Sequence, residues 1–141
     1  MKIAPRYPGA LRFSAEDGAA PVVMDAKADS GGRGEAPTPK EIVLHGLAGC
    51  TGMDVAAMLE KRGVRFSDFS VEVEAEQTEA HPKVFKSIRI TYRLRAREED
   101  RAGIARAIEL SETRFCGVSA MLGKTARITW ELALEPDAGE R

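Results

Sequence analysis

The residues best suited to chemistry in this sequence are its two cysteines, Cys50 and Cys116. A thiolate is the reactive form of cysteine, and an unperturbed thiol with pKa ≈ 8.5 is only ~3% ionised at pH 7. Lowering that pKa by two units takes roughly 2.7 kcal/mol of preferential stabilisation of the anion. Nothing beside Cys50 supplies it, and Asp54, one helical turn on, opposes it. A cation must therefore reach the sulfur from a distant part of the chain. With His45 and His81 the cysteines make a poor zinc site, so no metal is expected. A structural disulfide is not expected in a reducing compartment. The bland alternative is two buried, inert thiols.

The elements around these residues are legible. Cys50 sits in Leu47-Ala48-Gly49-Cys50-Thr51-Gly52-Met53-Asp54, within a helix that starts at Thr38-Pro39-Lys40-Glu41. Thr38 is the N-cap, Pro39 the first helical residue, and Glu41 the residue that closes a capping box. Val43, Leu47, Cys50 and Ala57 give one face, and Lys61-Arg62-Gly63 ends the helix. Gly49 and Gly52 each cost the helix roughly 1 kcal/mol relative to alanine, which points to close approach of another helix or a ligand.

Before this helix, Leu11, Phe13 and Ala15 alternate with polar residues, Glu16-Asp17-Gly18 makes a turn, and 22–25 returns as a strand. Pro5 and Pro8 interrupt anything earlier. Residues 26–37 read as a glycine-rich loop, mobile or functional. After the helix, Val71, Val73 and Ala75 alternate with glutamates, while Ile88, Ile90, Tyr92 and Leu94 alternate with Arg89, Thr91, Arg93 and Arg95. An antiparallel pairing sets Glu opposite Arg. A second helix over about 100–116 carries Ile104, Ile108, Ser111 and Phe115 on one stripe, with Cys116 at its end. A short helical turn at 118–122 and a strand with Ile128, Trp130, Leu132 and Leu134 complete the order. This is α+β: an antiparallel sheet packed on two helices.

The length of 141 residues fits one domain over 1–141, and the composition, 43% hydrophobic and 30% charged, is that of a globular chain. A net charge of −1 with scattered signs argues against a nucleic-acid partner. No apolar stretch reads as the ~18 residues of a membrane span, and the N-terminus lacks a signal-peptide core, so a cytoplasmic location is expected.

Residues 39–55, Pro39 to Val55, resemble the first cysteine motif of the OsmC/Ohr family, and Ile108 to Ser119 resemble its second. The resemblance implies an intertwined homodimer whose two central helices are wrapped by sheets from both chains. It implies a thiol-dependent peroxidase in which Cys50 attacks a hydroperoxide and becomes a sulfenic acid. Cys116 resolves it as a disulfide, and a cellular thiol or dithiol reduces that bond. No cofactor is implied. In the family an arginine from the N-terminal hairpin and a glutamate ten residues before the first cysteine hold the thiolate. Here Arg12 is the first candidate cation and Arg6 its rival, while position 40 is Lys. Glu41, nine positions before Cys50, lies about 180° round the helix. It serves either the thiolate or the capping box. Met53 is the candidate lining for the alkyl part of a substrate. A non-catalytic binding or redox-sensing protein on the same scaffold is the alternative reading.

Overall fold

The computed structural model describes residues 1, 6–15 and 20–137; the expected Glu16-Asp17-Gly18 turn, Pro5 and the side chain of Phe13 lie outside this description. The chain forms two compact units, Met1–His45 and Gly46–Arg141. The long helix α1 (Pro39–Lys61) contributes to both.

In the N-terminal unit, β1 (Arg6–Gly9), β2 (Arg12–Ala15) and β3 (Val22–Asp25) form an antiparallel sheet in that order, with Arg12 opposite Asp25 and Ser14 opposite Val23. The β1–β2 turn holds Ala10 and Leu11 both at φ 53°. Positive φ at both central residues matches the twist of a tight hairpin, yet costs a non-glycine residue roughly 1–2 kcal/mol. The loop after β3 is structured. It contains a 3-10 turn at Ala28–Ser30, and Asp25, 1% exposed, ties it down through the backbone N–H groups of Arg33 (3.4 Å) and Glu35 (3.1 Å). A Cβ on Gly32 would lie 2.1 Å from the Ala26 carbonyl oxygen, so only glycine fits there.

The C-terminal unit is built on β4 (Ser67–Gln77), β5 (Phe85–Ala96) and β6 (Arg127–Pro136), with β5 central. β4 and β5 pair antiparallel, and Glu74 faces Arg89 in an ion pair, as the charge pattern requires. β5 and β6 pair parallel, with Ile90 opposite Trp130 and Tyr92 opposite Leu132. The expected all-antiparallel sheet is therefore mixed. Alternation along a strand encodes its faces and says nothing of its direction. The helices α2 (Arg101–Leu110) and α3 (Gly117–Leu122) form the crossover that returns the chain for parallel pairing. Ile88, Ile90, Tyr92 and Leu94 of β5 are at most 2% exposed, and the core also takes Ile104, Ala107 and Ile108 of α2. Burying each large aliphatic side chain contributes roughly 1.5–3 kcal/mol.

The inward stripe of α1 is Leu47, Thr51, Val55 and Leu59, spaced by four. Val43 is 41% exposed and Ala57 is exposed, so the face is turned by one residue from the one read in the sequence. The Gly52 Cα approaches the Val71 side chain, leaving a Cβ only 3.2 Å from it. α1 also corrects the expectation that no stretch matches a membrane span. Its alanines and glycines dilute the polar residues, and an 18-residue window reaches mean hydropathy 1.5, enough by length and composition to cross a bilayer. Core helices can share that composition; here 22% of the window is buried, on the stripe of Leu47, Thr51, Val55 and Leu59.

Candidate functional site

Cys50 and Asp54 lie four residues apart on α1 and therefore share a face. Cys116 comes from the other side of the site. α2 does not run on through it: after Leu110 the chain enters a π turn, Ser111–Phe115, closed by the Cys116 N–H donating to the Ser111 carbonyl at 2.8 Å. Cys116 then takes extended angles (φ −73°, ψ 103°) and caps α3, its Sγ accepting the Ser119 N–H at 3.3 Å. Cys50 Sγ, Cys116 Sγ and an Asp54 carboxylate oxygen all lie within 4.8 Å of one another. Both thiols are free. Cys50 is half-buried, whereas Cys116 is 3% exposed. Burial pushes the Cys116 thiol above its ordinary pKa; the Ser119 hydroxyl and N–H work against that, and the hydrogen-bonded Cys50 thiol adds to it.

A chain of hydroxyls runs behind the sulfurs. Ser111 Oγ donates to Asp54 Oδ2 (3.0 Å) and lies 2.9 Å from Thr51 Oγ1, which lies 2.6 Å from Tyr92 Oη. Tyr92 donates to Glu112 Oε1 (2.6 Å), whose other oxygen accepts from Ser119 Oγ (3.0 Å). Desolvation, then the bond to Glu112, raises the Tyr92 pKa, so the phenol stays protonated and donates. Among the described residues no buried side-chain nitrogen or oxygen is left unpaired. The network fixes α1, β5 and the π turn against each other, and so fixes the two sulfurs.

The other residues singled out in the sequence have clear local roles. Arg12, whose side chain is only 24% exposed, pairs with Glu35 at 2.6 Å and faces Asp25 within the N-terminal unit. Glu41 closes the capping box: Oε2 accepts the Thr38 N–H at 2.7 Å and its hydroxyl at 2.8 Å, which together lower the Glu41 pKa. Arg6 opens β1 on an exposed position, and Met53 is 74% exposed on α1. His45 and His81 are exposed. Thr51, Tyr92, Ser111, Glu112 and Ser119 were not anticipated as a group. One signal for them was available: Ser111 shares an apolar stripe with Ile104 and Ile108, and a buried hydroxyl demands a partner.

The family described as OsmC-like protein matches residues 32–131, which spans both cysteine motifs. The chain belongs to the OsmC-like family. Protein YhfA of Escherichia coli strain K12 is 35% identical over 95 residues, covering 67% of this chain and 71% of that protein. The structure of an OsmC-like protein from Mycoplasma pneumoniae matches with TM-score 0.80 at 14% identity, covering 94% of this chain and 95% of that one. The organic hydroperoxide resistance protein OhrB of Bacillus subtilis matches with TM-score 0.64 at 19% identity, covering 93% and 96%. These likenesses identify the α+β architecture as OsmC-like. Family membership points to redox or peroxide-related chemistry.

Proposed function

We propose that the protein is a two-cysteine peroxidase that reduces organic hydroperoxides. One observation carries the reading: an accessible thiol and a buried thiol, from separate elements, converge within 4.8 Å. The Cys50 thiolate attacks the distal peroxide oxygen. The O–O bond breaks, the alkoxide leaves as alcohol on taking a proton, and Cys50 becomes a sulfenic acid. Cys116 then attacks the Cys50 sulfur, the hydroxyl leaves as water on taking the Cys116 proton, and a disulfide forms. A dithiol of a reducing compartment such as the cytoplasm restores both thiols and is itself oxidised. Access supports these roles, because peroxide reaches the half-buried sulfur before the buried one. Met53 supplies an apolar contact for the alkyl group on the accessible face of α1. The exposed Met53 (74%), Phe115 (61%) and Met121 (67%) also support assembly as a homodimer, the general state in this family.

The test is peroxide consumption by the reduced protein. Wild type should lose both thiols, Cys116→Ser should accumulate a trappable sulfenate, and Cys50→Ser should consume no peroxide. Unchanged consumption by Cys50→Ser would end the proposal. A second reading, redox sensing without efficient turnover, is favoured by the engagement of Arg12 with Glu35 and of Glu41 with Thr38. A rate towards alkyl hydroperoxide no faster than that of free cysteine would select it.

A further inference from the structure

We propose that the reduced site also binds a thiophilic divalent cation, zinc foremost, through Cys50 Sγ, Cys116 Sγ and a carboxylate oxygen of Asp54. The three donor atoms already lie within 4.8 Å of one another. With Zn–S ≈ 2.3 Å and Zn–O ≈ 2.0–2.2 Å, a tetrahedral ion holds its donors roughly 3.3–3.8 Å apart, so closure takes side-chain movements of about 1 Å. Cys50 and Asp54 are set on one helical face by their spacing, and Cys116 closes from the π turn, so two elements clamp the ion.

The surroundings orient the donors as metal-site surroundings do. Ser111 Oγ donates to Asp54 Oδ2, leaving the other carboxylate oxygen for the cation, and the Ser119 N–H donates to Cys116 Sγ. Ser111 is itself held by Thr51, which is 0% exposed. Two thiolates select zinc over magnesium or calcium, and the half-buried Cys50 and Asp54 give the ion a path in and a water its fourth position. The carboxylate completes what the two exposed histidines do not. Binding displaces two thiol protons to solvent, one per sulfur. A Cys50–Cys116 disulfide removes two of the three donors. When a hydroperoxide oxidises the loaded site, it takes up two protons, yields alcohol and water, and releases the cation. Binding itself requires the dithiol geometry and no turnover, so it stands independently of the peroxidase reading.

Cobalt(II) is the probe: the metal-free, reduced, full-length protein is titrated while the near-ultraviolet thiolate-to-cobalt charge-transfer band is followed. The band should saturate at one ion per chain in the micromolar range, and zinc should displace the cobalt stoichiometrically. Cys50→Ser and Cys116→Ser should each remove about half of the band per bound ion. Asp54→Asn should keep the band and weaken binding, and Ser111→Ala should weaken it about 10–100-fold. Disulfide-oxidised wild type, which needs no substitution, should give no band. The proposal is overturned by the absence of a band at millimolar cobalt, by an undiminished band in Cys116→Ser, or by equal binding to the oxidised protein. Peroxide consumption by the metal-free protein is read separately, so either activity can fail alone.

Discussion

Replacing Thr51 by valine tests the proton arrangement of the buried hydroxyl chain. Four links join Glu112, Tyr92, Thr51, Ser111 and Asp54, and three hydroxyls supply the protons. Tyr92 and Ser111 donate to the two carboxylates. Thr51 is left with one proton for two neighbours, at 2.6 Å and 2.9 Å, so only one of these contacts is a hydrogen bond at any moment. Valine keeps the shape and removes that single bond, at about 0.5–1.5 kcal/mol. Neither partner is orphaned, because Tyr92 keeps Glu112 and Ser111 keeps Asp54. A buried methyl replacing the hydroxyl offsets part of the loss, by up to about 0.8 kcal/mol. The expected net destabilisation of Thr51→Val is thus about 0–1.5 kcal/mol. Tyr92→Phe removes a bond to a charged acceptor and should cost about 1.5–3 kcal/mol. Urea unfolding of the reduced proteins, with equal m-values, measures both. A Thr51→Val loss of 3 kcal/mol or more, or one exceeding that of Tyr92→Phe, would refute the proton count.

Three further outcomes follow from the geometry. Burial alone would raise the Asp25 pKa, but the N–H groups of Glu35 and Arg33, the Arg12 guanidinium and the Ala26 N–H bring it below the ordinary value. A folded pKa below the unfolded one adds stability above about pH 4, lost as pH falls through the folded value. Hydrogen exchange of the 26–37 amides, taken relative to the intrinsic exchange rate at each pH, should therefore accelerate on acidification in wild type. In Asp25→Asn it should already be fast at neutral pH, and identical pH profiles would contradict this. Gly32→Ala places a Cβ against the Ala26 carbonyl and should cost about 1–3 kcal/mol, read as loosening of the same loop. Ile104→Ala, at a site 0% exposed, should cost about 2–5 kcal/mol in urea unfolding; less than 1 kcal/mol would place Ile104 outside the core.

The helix start at Thr38-Pro39-Lys40-Glu41 was legible because a cap is local: its partners lie within four residues, and the structure makes the expected bonds. The Glu and Arg faces of β4 and β5 were legible because period-two alternation exposes one face. The direction of β6 was not, since it depends on the crossover and not on the strand. Loop 26–37 reads as loose because its order comes from one buried carboxylate, Asp25, at the end of a strand. Of the site, the cysteines stood out by residue type. The hydroxyls around them did not, because Thr51, Tyr92 and Ser111 come from three elements and converge only after folding.

The placement of Cys116 turns on a departure from helical periodicity. At 100° per residue, an unbroken α2 would set Phe115 about 40° from Ser111 and Cys116 about 140° away, which is why Phe115 reads as core. In the structure Phe115 is 61% exposed and Cys116 is 3% exposed. The π turn accounts for the exchange: the Cys116 N–H bonds to Ser111, five residues back, so the chain takes one more residue to come round. Cys116 then lies over the buried side that Ser111 occupies, facing α1, and the ring of Phe115 swings out. The same turn presents Glu112 to Tyr92 and Ser119, and Ser111 to Asp54 and Thr51. One local widening of a helix thus brings the second sulfur to the first and supplies the hydroxyl that orients the carboxylate near them.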